Sequence, residues 1–295
     1  MFRNLIVAVA LTACASAPPA PTAPPPHHIG DTWHHDALAI AAGDDVRARG
    51  TAIEARLSAA GIPFQRQVLP GPGREIVNIV AAPPDTRDLP VLLIGAHYDR
   101  VDAGRGAVDN ASGCAAVLEL GAALADAPLA HHRVMLAFWD LEEVGLEGSK
   151  AFLAATPPET ELYLNFDVFG YGDTLWGMVP NAEAGFGAAM RAAGVAANLP
   201  TDLGETYPPS DHLAFLKVGR RAVSLSLVGG DEIPGILAAF RGAMPDPLPR
   251  TMRVLHSVHD VPAELEPERV TRALKVVLDG LRRWDASASG EHVGL

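Results

Sequence analysis

The feature that most constrains the fold is an alternation of short apolar runs with longer segments of helical periodicity. The apolar runs predict buried strands at residues 76–80, 91–95, 134–138, 162–166 and 222–227. Helical periodicity is found at residues 37–60, 111–126, 146–155, 182–193 and 267–284. Strands that alternate with helices form a largely parallel sheet covered on both faces. We therefore predict an α/β fold with a mostly parallel twisted central sheet and helices on both of its faces.

The body of the chain, residues 30–295, is predicted to form one domain. Apolar residues make up 48% of the 295-residue chain, which is enough for a substantial core. Neither an internal repeat nor a second proline-rich linker divides this part of the sequence. In parallel α/β sheets, ligands bind outside the carboxyl ends of the strands. The residues that follow the predicted strands are therefore the first candidates for chemistry.

The first 13 residues have the features of a bacterial lipoprotein signal peptide. Arg3 precedes an uncharged apolar run at residues 5–13, which is too short to cross a bilayer as a helix. The run ends in Leu11-Thr12-Ala13-Cys14, which resembles a lipobox, the motif in which the cysteine is lipidated and becomes the new N-terminus. The alternative is an ordinary signal peptide in which Cys14 lies near the cleavage site by chance.

Residues 14–29 are predicted to be a lipidated cysteine followed by a tether. Six prolines and no charge occupy residues 15–26, a composition that favours an extended, semi-rigid segment. We expect the chain to be held on a membrane of the bacterial cell envelope through Cys14, with its body facing the periplasm. Because Ala15 follows Cys14, the outer membrane is the expected location.

Charge and cysteine content exclude several classes of protein. Lys and Arg number 23 against 35 Asp and Glu, for a net charge of −12, which argues against a general nucleic-acid binder. The two cysteines, Cys14 and Cys114, are too few for a disulfide framework or a cysteine-rich metal site. Any metal must therefore be bound by His, Asp and Glu.

Side chains suited to metal binding follow the predicted strand at 91–95. His97 and Asp99 lie two residues apart, so they project to the same side of an extended chain. In that arrangement the histidine can bind a metal while the aspartate orients its imidazole. Ten residues beyond Asp99, Asp109 lies at the start of the next predicted helix, where one carboxylate can bridge two cations.

Acidic residues also follow the next two strands. Glu142 and Glu143 come after the run at 134–138, and Asp167 comes after the run at 162–166. An acidic pair alone is usually a solvated helix start, but a parallel sheet would bring all these groups to one edge. The segment 255–260 supplies further imidazoles. A shared carboxylate with His, Asp and Glu around it is the composition of a hydrolytic two-metal site.

The order and spacing of these motifs resemble the zinc-dependent, co-catalytic aminopeptidases. That family includes the secreted bacterial leucyl aminopeptidases, and the glutaminyl cyclases are close relatives. The matching segments span most of the body in family order: His97-Tyr98-Asp99, residues 106–113, residues 142–149, Asn165-Phe166-Asp167, Ser210-Asp211-His212 and residues 256–260. The resemblance implies hydrolysis of N-terminal residues from peptides by a metal-bound hydroxide.

The resemblance also implies two zinc ions per chain and identifies the residues that would bind each ion. One zinc would be held by His97, Asp109 and Asp167. The other would be held by Asp109, Glu143 and His256, so that Asp109 bridges the two ions. Within the segment 256–260, the ligand is assigned to His256 by its spacing to Asp260, and His259 is the alternative.

Three further residues receive catalytic roles from the resemblance. Glu142, adjacent to the ligand Glu143, would be the general base, and Asp99 would hydrogen-bond the imidazole of His97. Tyr207 stands where aminopeptidases of the family have a tyrosine that hydrogen-bonds the reacting carbonyl. The chain departs from the family at Leu141, where glycine is usual, and at Ser257, where threonine is usual. Both departures affect local backbone conformation and hydrogen bonding without removing a ligand.

Two alternative functions remain open on the sequence alone. A glutaminyl cyclase keeps similar ligands, typically uses one zinc, and forms an internal amide. The third motif of the cyclases resembles Asp-Asp-His, whereas this chain has Ser210-Asp211-His212. A non-catalytic envelope lipoprotein that binds metal or peptide is the other alternative, and loss of the base or of a ligand would be its signature.

Overall fold

An eight-stranded mixed sheet forms the centre of the computed structural model, which describes residues 27–155 and 157–288. In chain order the strands are β1 (Phe64–Leu69), β2 (Ile76–Ala81), β3 (Val91–His97), β4 (Arg133–Trp139), β5 (Leu162–Phe166), β6 (Thr174–Met178), β7 (Thr201–Gly204) and β8 (Ala222–Val228). Across the sheet their order is β1-β2-β4-β3-β5-β8-β6-β7. The central strands β4, β3, β5 and β8 run parallel, which confirms the predicted sheet.

Helices cover both faces of this sheet. They are α1 (Trp33–Ala41), α2 (Val46–Ala59), α3 (Ser112–Asp126), α4 (Glu147–Ala154), α5 (Ala184–Ala196), α6 (His212–Lys217), α7 (Ile233–Phe240), α8 (Arg250–Val254) and α9 (Pro267–Ser287). Successive residues of β3 enter different apolar clusters, because strand side chains alternate between faces: Leu92 and Ile94 join the larger cluster, and Leu93 joins the smaller one. The smaller cluster contains Phe152 of α4 and Phe215 of α6.

The sequence prediction was wrong in detail for several elements. The segment predicted as helical over residues 37–60 is divided into α1 and α2, and Asp45 caps α2 by accepting the backbone N–H of Ala48 at 2.8 Å. Strands β1, β6 and β7 were not predicted. Strand β1 is exposed or half-exposed at every position, so it has no apolar run that would mark it.

The predicted signal peptide and lipidated Cys14 lie outside the described residues, as does most of the predicted tether. The described residues begin at His27, whose backbone N–H donates to Asp126 at 2.6 Å. Within residues 27–155 and 157–288, no helix has the length and apolarity needed to span a bilayer.

The topology brings the carboxyl ends of β3, β4 and β5 together. Strand β3 lies between β4 and β5, and His97 at its end is paired in register with Trp139 at the end of β4. The loops that follow these three strands therefore leave the sheet side by side. They carry three of the five predicted metal ligands, Asp109, Glu143 and Asp167.

Candidate metal centre

One cavity of about 560 Å³ collects the predicted ligands and the predicted base at this edge of the sheet. The imidazoles and carboxylates that line it are His97, Asp109, Glu142, Glu143, Asp167 and His256. His97 ends β3, and the two glutamates and Asp167 lie in the loops after β4 and β5. His256 arrives from the loop after α8. The structure thus brings together side chains from the middle of the chain and from its last fifth.

Asp109 lies between the two imidazoles. Its Oδ1 is 3.2 Å from Nε2 of His97, and its Oδ2 is 3.2 Å from Nε2 of His256. Asp167 Oδ1 lies 3.6 Å from the same nitrogen of His97, and Glu143 Oε2 lies 3.0 Å from that of His256. Each oxygen of Asp109 therefore belongs to a different group of ligand atoms, one on each side of its carboxylate.

The ligand atoms are close enough to surround small cations. Those of His97, Asp109 and Glu143 lie within 4.8 Å of one another, and so do those of His97, Glu142 and Asp167. Glu142 therefore reaches the same space as the predicted ligands. Within the cavity, His256 is 58% exposed, whereas His97 is buried.

The chemistry of the donors fits divalent cations. Four carboxylates and two imidazoles line the cavity, and no Lys or Arg is among its lining residues in the described part of the chain. Glu143 Oε1 and Asp167 Oδ1 are buried without a hydrogen-bond partner. Buried carboxylates are costly unless they are paired or coordinate a metal. Imidazole and carboxylate donors are ligands that zinc accepts.

The electrostatics of the cluster favour added positive charge. Burial raises the pKa of Glu142 well above its ordinary value, and it also raises the pKa of Glu143. Contacts with Asp109 and then Glu143 raise the pKa of His256 to about 10. Burial tends to lower the pKa of His97, but the surrounding carboxylates, led by Glu142, outweigh it and raise the pKa well above its usual range. The carboxylates are thus crowded enough to attract protons or cations.

Two buried aspartates fix the loops that carry the ligands. Asp99 Oδ1 accepts the backbone N–H of Glu142 at 3.1 Å, and its Oδ2 accepts that of Glu143 at 3.2 Å. The same Oδ1 is 3.3 Å from Nδ1 of His97, but the two do not form the predicted hydrogen bond, since Nδ1 is buried without a hydrogen-bond partner. Asp260 accepts the N–H of Asp109 at 3.1 Å. This contact was not predicted from the sequence, in which Asp260 stands out only as a neighbour of the histidines.

Four non-glycine residues around the site have left-handed backbone conformations. Leu141, Leu146, Val168 and His256 have φ angles of 57°, 61°, 57° and 55°. Leu141 is the residue that stands where glycine is usual, and glycine is the residue that this φ favours. Among the described residues, Asn198 is the other non-glycine residue with positive φ. Backbone strain of this kind is typical of functional sites.

Tyr207 lines the cavity, but its hydroxyl is engaged by a neighbour. That hydroxyl is hydrogen-bonded to the hydroxyl of Ser226, which donates to the backbone carbonyl of Asp167. Tyr207 therefore connects to a predicted ligand through Ser226, a residue that the sequence analysis missed. His259 is exposed, and its side chain forms no hydrogen bond, ion pair or ring contact with a described residue, in contrast to His256.

The far wall of the cavity is apolar and was not predicted from the sequence. It is formed mainly by Trp176 and Val228 of the sheet and by Ile236, Phe240, Met252 and Leu255 of α7, α8 and the following loop. These residues come from short elements late in the chain, and their spacing carries no metal-binding or catalytic motif. The cavity thus joins an acidic cluster to an apolar surface.

Comparison with known proteins identifies relatives of the chain. A sequence profile described as "Peptidase family M28" matches residues 78–280. Leupeptin-inactivating enzyme 1 of Streptomyces exfoliatus is 34% identical over 177 residues, which are 57% of this chain and 39% of that protein. The probable lipoprotein aminopeptidase LpqL of Mycobacterium tuberculosis is 39% identical over 95 residues, 31% of this chain and 19% of that protein. The chain spans less than two fifths of the length of either relative.

Solved structures share the fold at low sequence identity. The LapA aminopeptidase of Legionella pneumophila has a TM-score of 0.67 and 16% identity, covering 86% of this chain and 71% of that one. The zinc aminopeptidase BSAP of Bacillus subtilis has a TM-score of 0.58 and 20% identity, covering 71% and 50%. The glutaminyl cyclase of Porphyromonas gingivalis has a TM-score of 0.68 and 17% identity, covering 85% and 97%.

Proposed function

Because this chain belongs to peptidase family M28, we propose that it is a zinc-dependent aminopeptidase that removes N-terminal residues from peptides. One observation carries the proposal. The two oxygens of Asp109 face different imidazoles, His97 and His256, inside a cavity that continues into an apolar wall. That arrangement provides a bridging ligand for two cations next to a binding surface for a substrate side chain.

The proposed ligands divide into two groups around the shared carboxylate. His97, Asp109 and Asp167 would hold one zinc, and Asp109, Glu143 and His256 would hold the other. Bound there, zinc supplies Lewis acidity that polarises the substrate carbonyl and lowers the pKa of water. The unpartnered oxygens of Glu143 and Asp167 support these assignments, because they have acceptor capacity left for a cation.

Glu142 is the proposed general base. Its carboxylate lies with His97 and Asp167 among atoms close enough to hold a metal, and we assign it to the base role and to neither zinc. It accepts a proton from the attacking water on a side-chain oxygen and later delivers it to the nitrogen of the leaving amine. Asp99 orients Glu142 through the backbone, and Tyr207 is proposed to stabilise the reacting carbonyl after its hydroxyl turns from Ser226.

The cavity wall supports an apolar N-terminal residue as the preferred substrate. Trp176, Ile236 and Met252 offer carbon surface to a side chain of the size of leucine or phenylalanine. The substrate also carries a free N-terminal amine, for which the carboxylates that line the cavity are hydrogen-bond acceptors. A blocked N-terminus has fewer donors to offer them, so the site favours exopeptidase over endopeptidase action.

A glutaminyl cyclase is the second candidate, because the fold matches 97% of the length of the cyclase from Porphyromonas gingivalis. Ser210 counts against it, since the third motif of the cyclases resembles Asp-Asp-His. Here the Ser210 hydroxyl accepts a hydrogen bond from Asn165 Nδ2 at 2.9 Å, and Asp211 accepts one from Ser149 at 2.5 Å. The aminopeptidase is therefore the favoured candidate.

Attachment to the cell envelope through lipidated Cys14 is also part of the proposal. Its support is the lipobox-like sequence and the similarity to a lipoprotein aminopeptidase. The test is the membrane fraction of cells that express wild-type protein or Cys14→Ser. Release of the Cys14→Ser variant is expected, and continued membrane association would remove lipidation from the proposal.

Mass spectrometry of a defined peptide pool tests the activity. Zinc-loaded protein is incubated with peptides that begin with Leu, Ala or Gln, and with a matched Leu peptide whose N-terminus is acetylated. Stepwise loss of N-terminal residues from the free Leu and Ala peptides, with the acetylated peptide intact, is the expected result. Loss of ammonia from the Gln peptide alone would identify the cyclase, and an unchanged pool would contradict both enzymes.

A further inference from the structure

The loop between His97 and Asp109 connects two of the proposed ligands, so its position sets the separation between them. On one side it is held by Asp260, whose backbone carbonyl accepts the N–H of Arg105 at 2.6 Å. On the other side it lies against α2. At Gly50 of that helix, an added Cβ would lie 3.3 Å from the ring of Tyr98, which shows how closely the helix and the loop approach.

Arg49 of α2 reaches into this loop with its whole guanidinium group. Nε donates to the carbonyl of Tyr98 at 2.6 Å, Nη1 to that of Arg105 at 2.9 Å, and Nη2 to that of Gly106 at 3.1 Å. Arg49 thus joins Tyr98, which follows His97, to Arg105 and Gly106, which come shortly before Asp109. The planar fork of an arginine can hold three acceptors in fixed directions, which a lysine ammonium cannot.

Arg49 is more deeply buried than an arginine on a solvated helix face would be. Its side chain is fully buried, and it forms no ion pair with a described residue. A buried charge without a close counter-ion is costly, and the three hydrogen bonds that Arg49 donates to the loop offset part of that cost. Burial lowers the pKa of Arg49, and the like charge of Arg100 adds to this effect, whereas Asp99 and Asp260 offset only part of it.

We propose that Arg49 is a positioning residue of the metal centre, which sets the separation of His97 and Asp109 by clamping the loop between them to α2. The inference rests on the proposed metal ligation. It extends the catalytic unit beyond the part of the chain that the family profile matches, because residue 49 precedes residue 78. Helices α1 and α2 are therefore part of the support of the metal centre.

Arg105 holds the same loop from the opposite direction. Its Nε donates to the carbonyl of Ala41 at 3.1 Å and its Nη2 to that of Ala42 at 2.6 Å, at the end of α1. Helix ends leave carbonyl groups without partners inside the helix, so a guanidinium is well suited to this position. Arg105 also pairs with Asp44 at 3.0 Å. Arg49 of α2 thus binds the loop, and Arg105 of the loop binds the end of α1.

A comparison of arginine variants in the zinc-loaded full chain tests the proposal. The test variants are Arg49→Lys, Arg49→Met and Arg105→Met. The matched control is Arg56→Met, because Arg56 also lies on α2 but donates to Asp36 and Thr32 of the α1 region without touching the loop. For each protein we measure the unfolding midpoint, zinc affinity by competition with a chelator, and kcat and KM for a Leu peptide.

The proposal predicts a loss of zinc affinity in the Arg49 and Arg105 variants and no such loss in the control Arg56→Met. Both Arg49 variants should weaken zinc affinity by about tenfold or more and lower kcat, as changes in residues that orient metal ligands do. KM should change by less than about twofold, because the apolar wall is untouched. Arg56→Met should lower the unfolding midpoint while zinc affinity and kcat stay at wild-type values. Arg105 is 36% exposed, so Arg105→Met should fold and weaken zinc affinity.

Wild-type zinc affinity and kcat in Arg49→Lys would overturn the proposal, and so would equal losses in the Arg49 and Arg56 variants. If both Arg49 variants fail to fold, unchanged zinc affinity in Arg105→Met overturns it. The zinc measurement on the wild type separates this inference from the proposed function. A wild type that binds no zinc would contradict the function, whereas zinc binding that the arginine variants leave unchanged would contradict only the positioning role.

Discussion

Asp99 accepts the backbone N–H of Glu142 at 3.1 Å, although the two residues lie 43 positions apart. Its other oxygen accepts the N–H of Glu143, so one carboxylate fixes the proposed base and a proposed ligand together. Because Asp99 also contacts His97, it connects the ends of β3 and β4 at the metal centre. The sequence spacing predicted the contact with His97 but carried no sign of the two backbone contacts.

Asp99→Asn should therefore impair catalysis more than folding. The amide can present one oxygen where the carboxylate presents two, so one of the two backbone N–H groups loses its acceptor. We expect kcat and zinc affinity to fall by about tenfold to a hundredfold, with little change in circular dichroism. Asp102→Asn is the control, since Asp102 is exposed in the same loop. Wild-type kinetics in Asp99→Asn would contradict this role.

At position 141 a glycine variant should be more stable than an alanine variant, although alanine is usually the more stabilising of the two residues. Its φ of 57° disfavours any residue with a Cβ, by about 1–2 kcal/mol. We expect Leu141→Gly to be more stable than Leu141→Ala by about 1 kcal/mol, measured by urea denaturation. The control is Ala151→Gly within α4, where glycine should cost about 1 kcal/mol. An alanine variant at position 141 that equals or exceeds the glycine variant would contradict the strained backbone.

Phe240 should contribute to the preference for bulky N-terminal residues. It lines the cavity and is 52% exposed, so Phe240→Ala should fold while removing part of the apolar wall. We expect kcat/KM for a Leu or Phe peptide to fall by about tenfold, and that for an Ala peptide to change little. Val218→Ala is the control, because Val218 is 58% exposed and lies outside the cavity lining. An unchanged ratio of Leu to Ala turnover would place substrate selection elsewhere.

His212 should make folding sensitive to mild acid. Burial lowers its pKa from 6.5 to about 4, so the unfolded chain takes up the proton first as the pH falls. Its contribution to the free energy of unfolding is present above pH 6.5 and is lost between pH 6.5 and 4, by up to about 3 kcal/mol.

The check is the stability of wild type and His212→Gln across that pH range, with a chelator in both samples so that zinc release does not contribute. The wild type should lose stability relative to the variant as the pH falls. A constant difference between the two proteins would show that His212 does not titrate in this way.

The sequence predicted the strands that correspond to continuous apolar runs. Strands β3, β4 and β5 are apolar runs, and parallel strands gather the residues that follow them at one edge. The amino-acid pattern alone therefore placed His97, Glu143 and Asp167 together. Strand β1 could not be predicted, because it pairs only with β2 and buries little of its surface.

Other parts of the site depend on tertiary contacts that leave no local signal. Arg49 lies on a helix whose charged residues resemble an ordinary solvated face, and only the packed structure shows that it is buried. Asp260 contacts Asp109 across 151 positions. The apolar wall comes from α7 and α8, which are short and carry no motif. Leu141 is different, because its departure from glycine pointed to the backbone feature that the structure contains.

Peptide hydrolysis is proposed to require two zinc ions together with Glu142, and the variant Glu142→Gln separates the base from the metal. Zinc content and turnover of a Leu peptide are measured on the same samples of wild type, Glu142→Gln and the nearby control Glu147→Gln. We expect two zinc ions per chain in all three proteins and a loss of kcat of about a hundredfold or more in Glu142→Gln alone. Near-wild-type turnover of Glu142→Gln at full zinc content would contradict the proposed role of Glu142.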